Sequence, residues 1–267
     1  MVLPPNTRIL GILNLTRDSF SDGGRYLEPK LALAHAKAMM QAGADGIDVG
    51  AESTHPDSED VDAAEELRRL VPVLRSLKEW GIPVSVDTWK APVMEAVLPL
   101  GGTWINDVHG FRDPRSLDAV RNHPVHLIVM HNRSLGYRAT RDGHATELSA
   151  LESVEHFFSH RPLELAQGGI EPGRIILDPG MGFFLGPDPE SSFQVLRALP
   201  SLRKSGLPIL LSVSRKSFIC KTLGKQPETS AAGTLAAELY GALAGADFIR
   251  THEPGPLRDG LRILGRL

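Results

Sequence analysis

Cysteine is almost absent: the 267 residues contain one, Cys220. That excludes a disulfide framework and a cysteine-based zinc site, and it makes a reducing compartment, the cytoplasm, the simplest location. Neither sign of charge dominates. With a formal net charge of -3, no basic excess draws the chain to nucleic acid or to an anionic membrane surface. No apolar run nears the ~18 residues that a membrane helix needs. The start, MVLPPNTRIL, lacks the basic-then-apolar pattern of an export signal. Aromatic residues are few, yet 42% hydrophobic and 23% charged residues suit a globular enzyme and exclude wholesale disorder. Against these shortages stands a surplus of 26 glycines and 20 prolines, which implies many tight turns.

Short runs rich in Ile, Val and Leu recur at 9–15, 46–50, 83–87, 104–108, 126–131, 174–178, 208–214 and 248–252. Near-continuous apolar runs of this length suit strands buried on both faces of a parallel sheet. Segments of helical period separate them. Leu31, Ala34, Ala38 and Met39 mark one stripe, and Leu67, Leu70, Leu74 and Leu77 mark another. Later segments run 93–100, 117–122, 151–167, 192–205, 231–244 and 256–264. Eight strand–helix pairs in one domain, 1–267, predict an α/β fold of the (β/α)8 TIM-barrel type. An open doubly wound sheet fits less well, since no GxGxxG follows the first strand.

In such a barrel the active site forms where the strands end. The expected ends carry Asn14-Leu-Thr16, Asp48, Asp87-Thr88, Asn106-Asp107, His131-Asn132, Asp178-Pro179, Ser214-Arg-Lys216 and Arg250-Thr-His252. One such Asp or Asn is most simply a helix cap. Polar residues at every end, with Arg, Lys and His among them, are not explained by capping. Arg215, Lys216, Arg250 and His252 converge on strands seven and eight, where this fold commonly binds phosphate near a helix N-terminus. An anionic, phosphorylated substrate is therefore expected. After strand one, Arg17–Gly24, with Phe20 in its middle, reads as a loop that closes over substrate. Trp80, Trp89 and Trp104 read as helix–barrel packing, and Cys220 as a packed residue on the helix after Lys216. No HExxH-like spacing occurs among the histidines.

Several of these segments resemble the motifs of dihydropteroate synthase. They are Asn14-Leu-Thr-Arg-Asp-Ser-Phe-Ser-Asp-Gly-Gly24, Asp48-Val-Gly-Ala-Glu-Ser-Thr-His-Pro56, Val86-Asp-Thr88, Ile105-Asn-Asp107, Val129-Met-His131, Leu177-Asp-Pro-Gly180, Ser214-Arg-Lys-Ser217 and Arg250-Thr-His252. They span the chain in family order. The resemblance implies a homodimeric transferase that joins 6-hydroxymethyl-7,8-dihydropterin diphosphate to para-aminobenzoate, releasing pyrophosphate and giving 7,8-dihydropteroate for folate synthesis. By resemblance, Asp178, Asn106, Lys216, Asp87 and Met130 take the pterin, and Asn14, Arg250 and His252 take the diphosphate. Mg²⁺ sits beside Asn14, suited to a hard ion that keeps several waters. The catalytic set so implied is Asn14, Asp22, Asp87, Lys216, Arg250 and His252. Thr54, His55, Pro56, Phe183 and Ser217 shape the aminobenzoate pocket. The implied mechanism is dissociative: pyrophosphate leaves first, and the aminobenzoate nitrogen attacks a pterin methylene cation. No side-chain nucleophile is needed.

Four positions depart from the usual family pattern: Arg17 stands for Pro, His55 for Arg, Asp57 for Gly, and Leu185 for a frequent Lys. The run Gly180-Met-Gly-Phe-Phe-Leu-Gly186, with Arg250-Thr-His-Glu-Pro254, resembles the mobile, sulfonamide-insensitive branch. An added aromatic there implies steric exclusion of the bulkier sulfonamide. Two alternatives stay open: a pterin-binding methyltransferase barrel, and a catalytically silent pterin-binding homologue.

Overall fold

The computed structural model describes residues 7–16, 29–54, 58–134, 136, 138–139 and 148–267. Its strands are β1 Arg8–Asn14, β2 Gly46–Gly50, β3 Val84–Asp87, β4 Trp104–Asp107, β5 His126–Met130, β6 Ile175–Asp178, β7 Leu210–Leu211 and β8 Phe248–Thr251. Neighbours pair in parallel, and β1 meets β8 with Leu10 opposite Arg250. A single bridge between Leu177 and Ile209 joins β6 to β7 and nearly closes the ring. The expected (β/α)8 barrel is the observed fold.

Helices follow each strand: α1 Pro29–Gln41, α2 Ala63–Glu79, α3 Ala91–Val97, α4 Pro114–Arg121, α5 Ala150–Gln167, α6 Pro189–Leu202, α7 Ser217–Leu223, α8 Ala231–Leu243 and α9 Pro254–Leu264. Their starts follow local chemistry. Asp62 accepts from the Glu65 N–H at 2.8 Å, and Ser149 with Glu152 forms a reciprocal capping box. One reading of the sequence changes here. Strand seven pairs over two residues rather than 208–214; Pro208 has no N–H for a ladder, and the chain turns at once, with Lys216 N–H donating to the Val213 carbonyl. The helix expected after Lys216 and the 231–244 segment are α7 and α8, and Gly224 at φ +61°, a conformation natural to glycine, ends the first.

A pleated strand sends alternate side chains to opposite faces, and in a barrel both faces are buried. The outward set, including Ile9, Leu13, Ile47, Val49, Val86, Ile105, Leu127, Leu177 and Ile249, merges with the helices into the main core. The inward set forms a separate cluster of Leu10, Trp104, Ile128, Ile176, Leu210 and Phe248. That cluster is the barrel floor. Trp104 thus packs inside the barrel rather than against a helix, edge-on to Phe248 with centroids 6.1 Å apart. Gly46 makes the room: a Cβ there would sit 3.4 Å from the indole and 3.0 Å from the Pro83 carbonyl. Trp80 is largely exposed beside Lys37. Replacing Trp104 by Ala removes the largest floor side chain. It should lower the unfolding free energy by about 3–5 kcal/mol in urea titrations.

Candidate functional site

Each floor residue on five strands has an inward neighbour two positions on. Trp104 leads to Asn106, Ile128 to Met130, Ile176 to Asp178, Leu210 to Ser212 and Phe248 to Arg250, and all five second residues line one cleft. Asp87, Lys216, Thr54, Val108, Met181 and Phe184 complete it, around about 340 Å³ of open space. The cleft therefore lies at the C-terminal ends of the strands, where this fold places its chemistry.

Arg250 is the central ion. Its guanidinium pairs with Asp48 and, at 2.8 Å, with Asp87. Burial opposes its charge, but the two carboxylates outweigh that and hold its pKa above the usual value. Burial raises Asp87 to about 7 although Arg250 pulls the other way. Asp178 rises to about 6 for the same first reason, despite accepting the Gly180 N–H at 2.7 Å. Lys216 falls to about 8, through burial and then through Arg250. Its ammonium lies 5.3 Å from the Phe184 ring centroid. The cleft thus carries carboxyl groups that burial pushes above their usual range beside two cations.

The turn that carries Asp178 has little freedom. Gly180 has φ +65°, and a Cβ there would lie 2.2 Å from the His131 carbonyl. His131 holds the same turn: its N–H donates to the Asp178 carbonyl at 2.8 Å, and its Nδ1 lies 3.0 Å from the Pro179 carbonyl.

At the end of β8 the Ser214 hydroxyl accepts the His252 N–H at 3.2 Å and lies 2.9 Å from His252 Nδ1. Burial, then Arg215, lowers His252 to about 3. It is therefore a neutral imidazole at pH 7. With the hydroxyl donating to Nδ1, the free donor is Nε2–H. Arg215, at φ +58°, pairs with Glu253 at 2.9 Å. Next to it α9 begins Pro254-Gly-Pro256; the prolines have no N–H, so its first turn adds the Gly255 N–H and the positive end of the helix dipole to this cationic end.

The second strand-end loop is tied down from behind. Lys90 contacts Glu52 and lies 2.6 Å from Glu66, both acids buried, while Glu52 also accepts the Val61 N–H. Two residues beyond Glu52, Thr54 lines the cleft.

Of the residues expected from the sequence, Asp87, Asn106, Met130, Asp178, Lys216, Arg250 and Thr54 converge on the cleft. Asn14 ends β1, half-buried, opposite Gly50. Ser217 opens α7, and a Cβ on Gly182 would approach its hydroxyl to 3.0 Å. Phe184, buried, lines the cleft, whereas Phe183 is half-buried under Lys221. Asp22, His55 and Pro56, with Arg17 and Phe20, lie outside the described residues. Asp48, Ser212, Val108, Met181 and the Glu52–Lys90–Glu66 group had been given no role. The signal that finds Asp48 and Ser212 is parity: both fall on the inward register of their strands.

Comparison with known proteins decides the family. The model of the pterin binding enzymes matches residues 10–252. The dihydropteroate synthase type-2 of Escherichia coli is 46% identical over 260 residues, covering 97% of this chain and 95% of that protein. The chain belongs to the dihydropteroate synthase family. Solved structures of the family agree. A dihydropteroate synthase of Clostridium difficile, crystallised in the presence of pteroic acid, is 39% identical with TM-score 0.89, covering 100% of this chain and 98% of that one. The Xanthomonas albilineans synthase with 4-aminobenzoic acid is 37% identical with TM-score 0.87, covering 96% and 91%.

The family site carries a stability cost in this chain. A buried acid whose folded pKa is raised binds its proton more tightly than in the unfolded chain, so stability falls as pH climbs from about 4 through the folded value. Asp178→Asn removes that penalty, since the amide oxygen still accepts from Gly180. The variant should melt a few degrees above the wild type at pH 8, with the gap closing towards pH 4 in a thermal-melt series.

Proposed function

We propose that the chain joins 6-hydroxymethyl-7,8-dihydropterin diphosphate to para-aminobenzoate, releasing pyrophosphate and forming 7,8-dihydropteroate. The observation that carries this reading is the inward layer itself. Asp178 and Asn106 form an acceptor-rich wall, while Lys216 stands on the β7–α7 connection and Arg250 on β8, which leads to α9.

A pterin edge presents an amino group beside a ring N–H, a donor pair that a carboxylate accepts as a fork. Asp178 takes that edge, and Asn106, whose side-chain oxygen is buried without a partner, takes the neighbouring donor. Lys216 faces the ring carbonyl, Met130 packs on the ring plane, and Asp87 lies beside the reduced ring. The diphosphate extends towards Arg250, His252 Nε2–H and the start of α9. As the methylene–oxygen bond breaks, its electron pair leaves on pyrophosphate, and these donors stabilise the charge that develops. The aminobenzoate nitrogen then forms the new bond to the methylene and loses a proton to solvent. Thr54, Phe183, Phe184 and Ser217, together with His55, Pro56 and Asp22, form the aminobenzoate side.

Magnesium belongs to this reading. Among the described residues no group of three or more His, Cys, Asp or Glu side chains could hold a metal ion. Asn14 offers one hard amide oxygen beside the diphosphate end, which suits an ion that retains waters and takes its other ligands from phosphate. When bound it neutralises leaving-group charge. The outer faces of α7 and α8 leave Leu223, Tyr240 and Leu243 exposed, which supports a homodimer. A cytoplasmic location belongs to the same reading, supported by the single cysteine; among the described residues no helix is long and apolar enough to cross a membrane.

The decisive assay follows pyrophosphate. Release sustained over many turnovers should need both substrates and Mg²⁺, stop with EDTA, and persist at micromolar sulfamethoxazole because Phe184 narrows the aminobenzoate side. Pterin binding without any release, with or without aminobenzoate, would instead favour a silent homologue.

A further inference from the structure

The inward layer contains one residue that the reading above leaves idle. Ser212 follows β7 directly, two positions after the floor residue Leu210, so its side chain faces the cleft and lines it. The residue is 6% exposed, and its hydroxyl has no hydrogen-bond partner. A buried hydroxyl left unpaired costs stability, so its retention on a core register needs a reason. The bland explanation is a bond to the backbone, as Ser214 makes with His252. Ser212 makes none.

Its neighbours define what it meets. Most other polar groups of the layer are engaged: Arg250 by two aspartates and one Asp178 oxygen by Gly180. Asp48 Oδ1, Ser85 Oγ, Asn106 Oδ1 and Ser212 Oγ are buried without a partner, and of these only Asn106 Oδ1, which accepts, and Ser212 Oγ belong to residues that line the cleft. Lys216 comes from the same β7–α7 connection, four residues on. A ring held at one edge by Asp178 and Asn106 therefore meets two donors from the strand-seven side, an ammonium and a hydroxyl.

We propose that Ser212 is a specificity-determining residue whose hydroxyl donates a hydrogen bond to an acceptor of the bound reduced pterin, its carbonyl oxygen or imine nitrogen, on the side that Lys216 approaches. This rests on the pterin reading above. It predicts opposite signs for binding and stability. In the free protein Ser212→Ala deletes an unsatisfied buried group, so the variant melts at or above the wild-type temperature. In the complex it deletes a bond, so binding weakens about fivefold, the ~1 kcal/mol typical of one neutral hydrogen bond.

The test is calorimetric titration of wild type, Ser212→Ala and Ser212→Thr with 6-hydroxymethyl-7,8-dihydropterin, which isolates the ring from the diphosphate, alongside steady-state kinetics. Ser212→Ala should raise Kd for the pterin and KM for its diphosphate about fivefold, with KM for aminobenzoate unchanged. Ser212→Thr, which keeps the hydroxyl, should recover most of the affinity. Equal pterin affinity in wild type and Ser212→Ala overturns the role of Ser212 while leaving the pterin reading intact. No pterin binding by the wild type overturns both.

Discussion

A strand in a closed barrel gives its interior only every second side chain, and the rest of this molecule depends on that parity. Outward residues must be apolar to seat the helices; inward residues at the floor must be apolar to fill the barrel. One pleat higher the interior no longer needs filling by protein, and polar groups are tolerated there. The step from floor to site occurs at one depth on five strands, from Trp104, Ile128, Ile176, Leu210 and Phe248 to Asn106, Met130, Asp178, Ser212 and Arg250. The strand ends therefore sort themselves. Residues on the inward register face the cleft, whereas their outward neighbours are spent on turns. Asp107 caps the His109 and Phe111 N–H groups, Thr88 accepts from Lys90, and Thr251 accepts from Glu253.

This division explains how much the sequence revealed. Apolar runs and helical stripes disclose a barrel because each of eight units repeats one pattern, and errors at single boundaries do not disturb the count. In the site, Asp87, Asn106, Asp178 and Arg250 were legible as polar residues ending apolar runs. Ser212 was not, since a serine within an apolar run is unremarkable until register shows which way it points. Trp104 was misplaced for the converse reason: apolar residues inside and outside a barrel look alike. The charge state of His252 was also hidden, because it depends on burial and on Arg215, which comes from another strand's loop.

The ionic groups are held by structure that does not touch the cleft. His131 and Gly180 fix the Asp178 turn, Ser214 fixes the His252 tautomer, and Lys90 ties the loop of Thr54 to α2 through Glu52 and Glu66. Buried pairs of this kind contribute little net stability, since desolvation offsets their attraction; removing one partner is what costs most. Their value here is geometric. A site that must stabilise charge appearing on a leaving group gains most from donors already oriented before the bond breaks.

Charge balance inside the layer also bears on the metal. Arg250 is already shared by Asp48 and Asp87, and Lys216 lies between Asp178 and Asp87 in its electrostatics. The acids of the pterin end thus consume most of the positive charge that the sequence seemed to assign to diphosphate. His252 adds a donor but no charge, and Arg215 is paired with Glu253. What remains for a multiply charged diphosphate is the start of α9 and whatever Arg250 can divert from its aspartates. A site built this way has donors in good order but a deficit of cation. On the proposed reading that deficit is the physical argument for a divalent ion beside Asn14, which would supply the charge that the carboxylates of the cleft have already claimed.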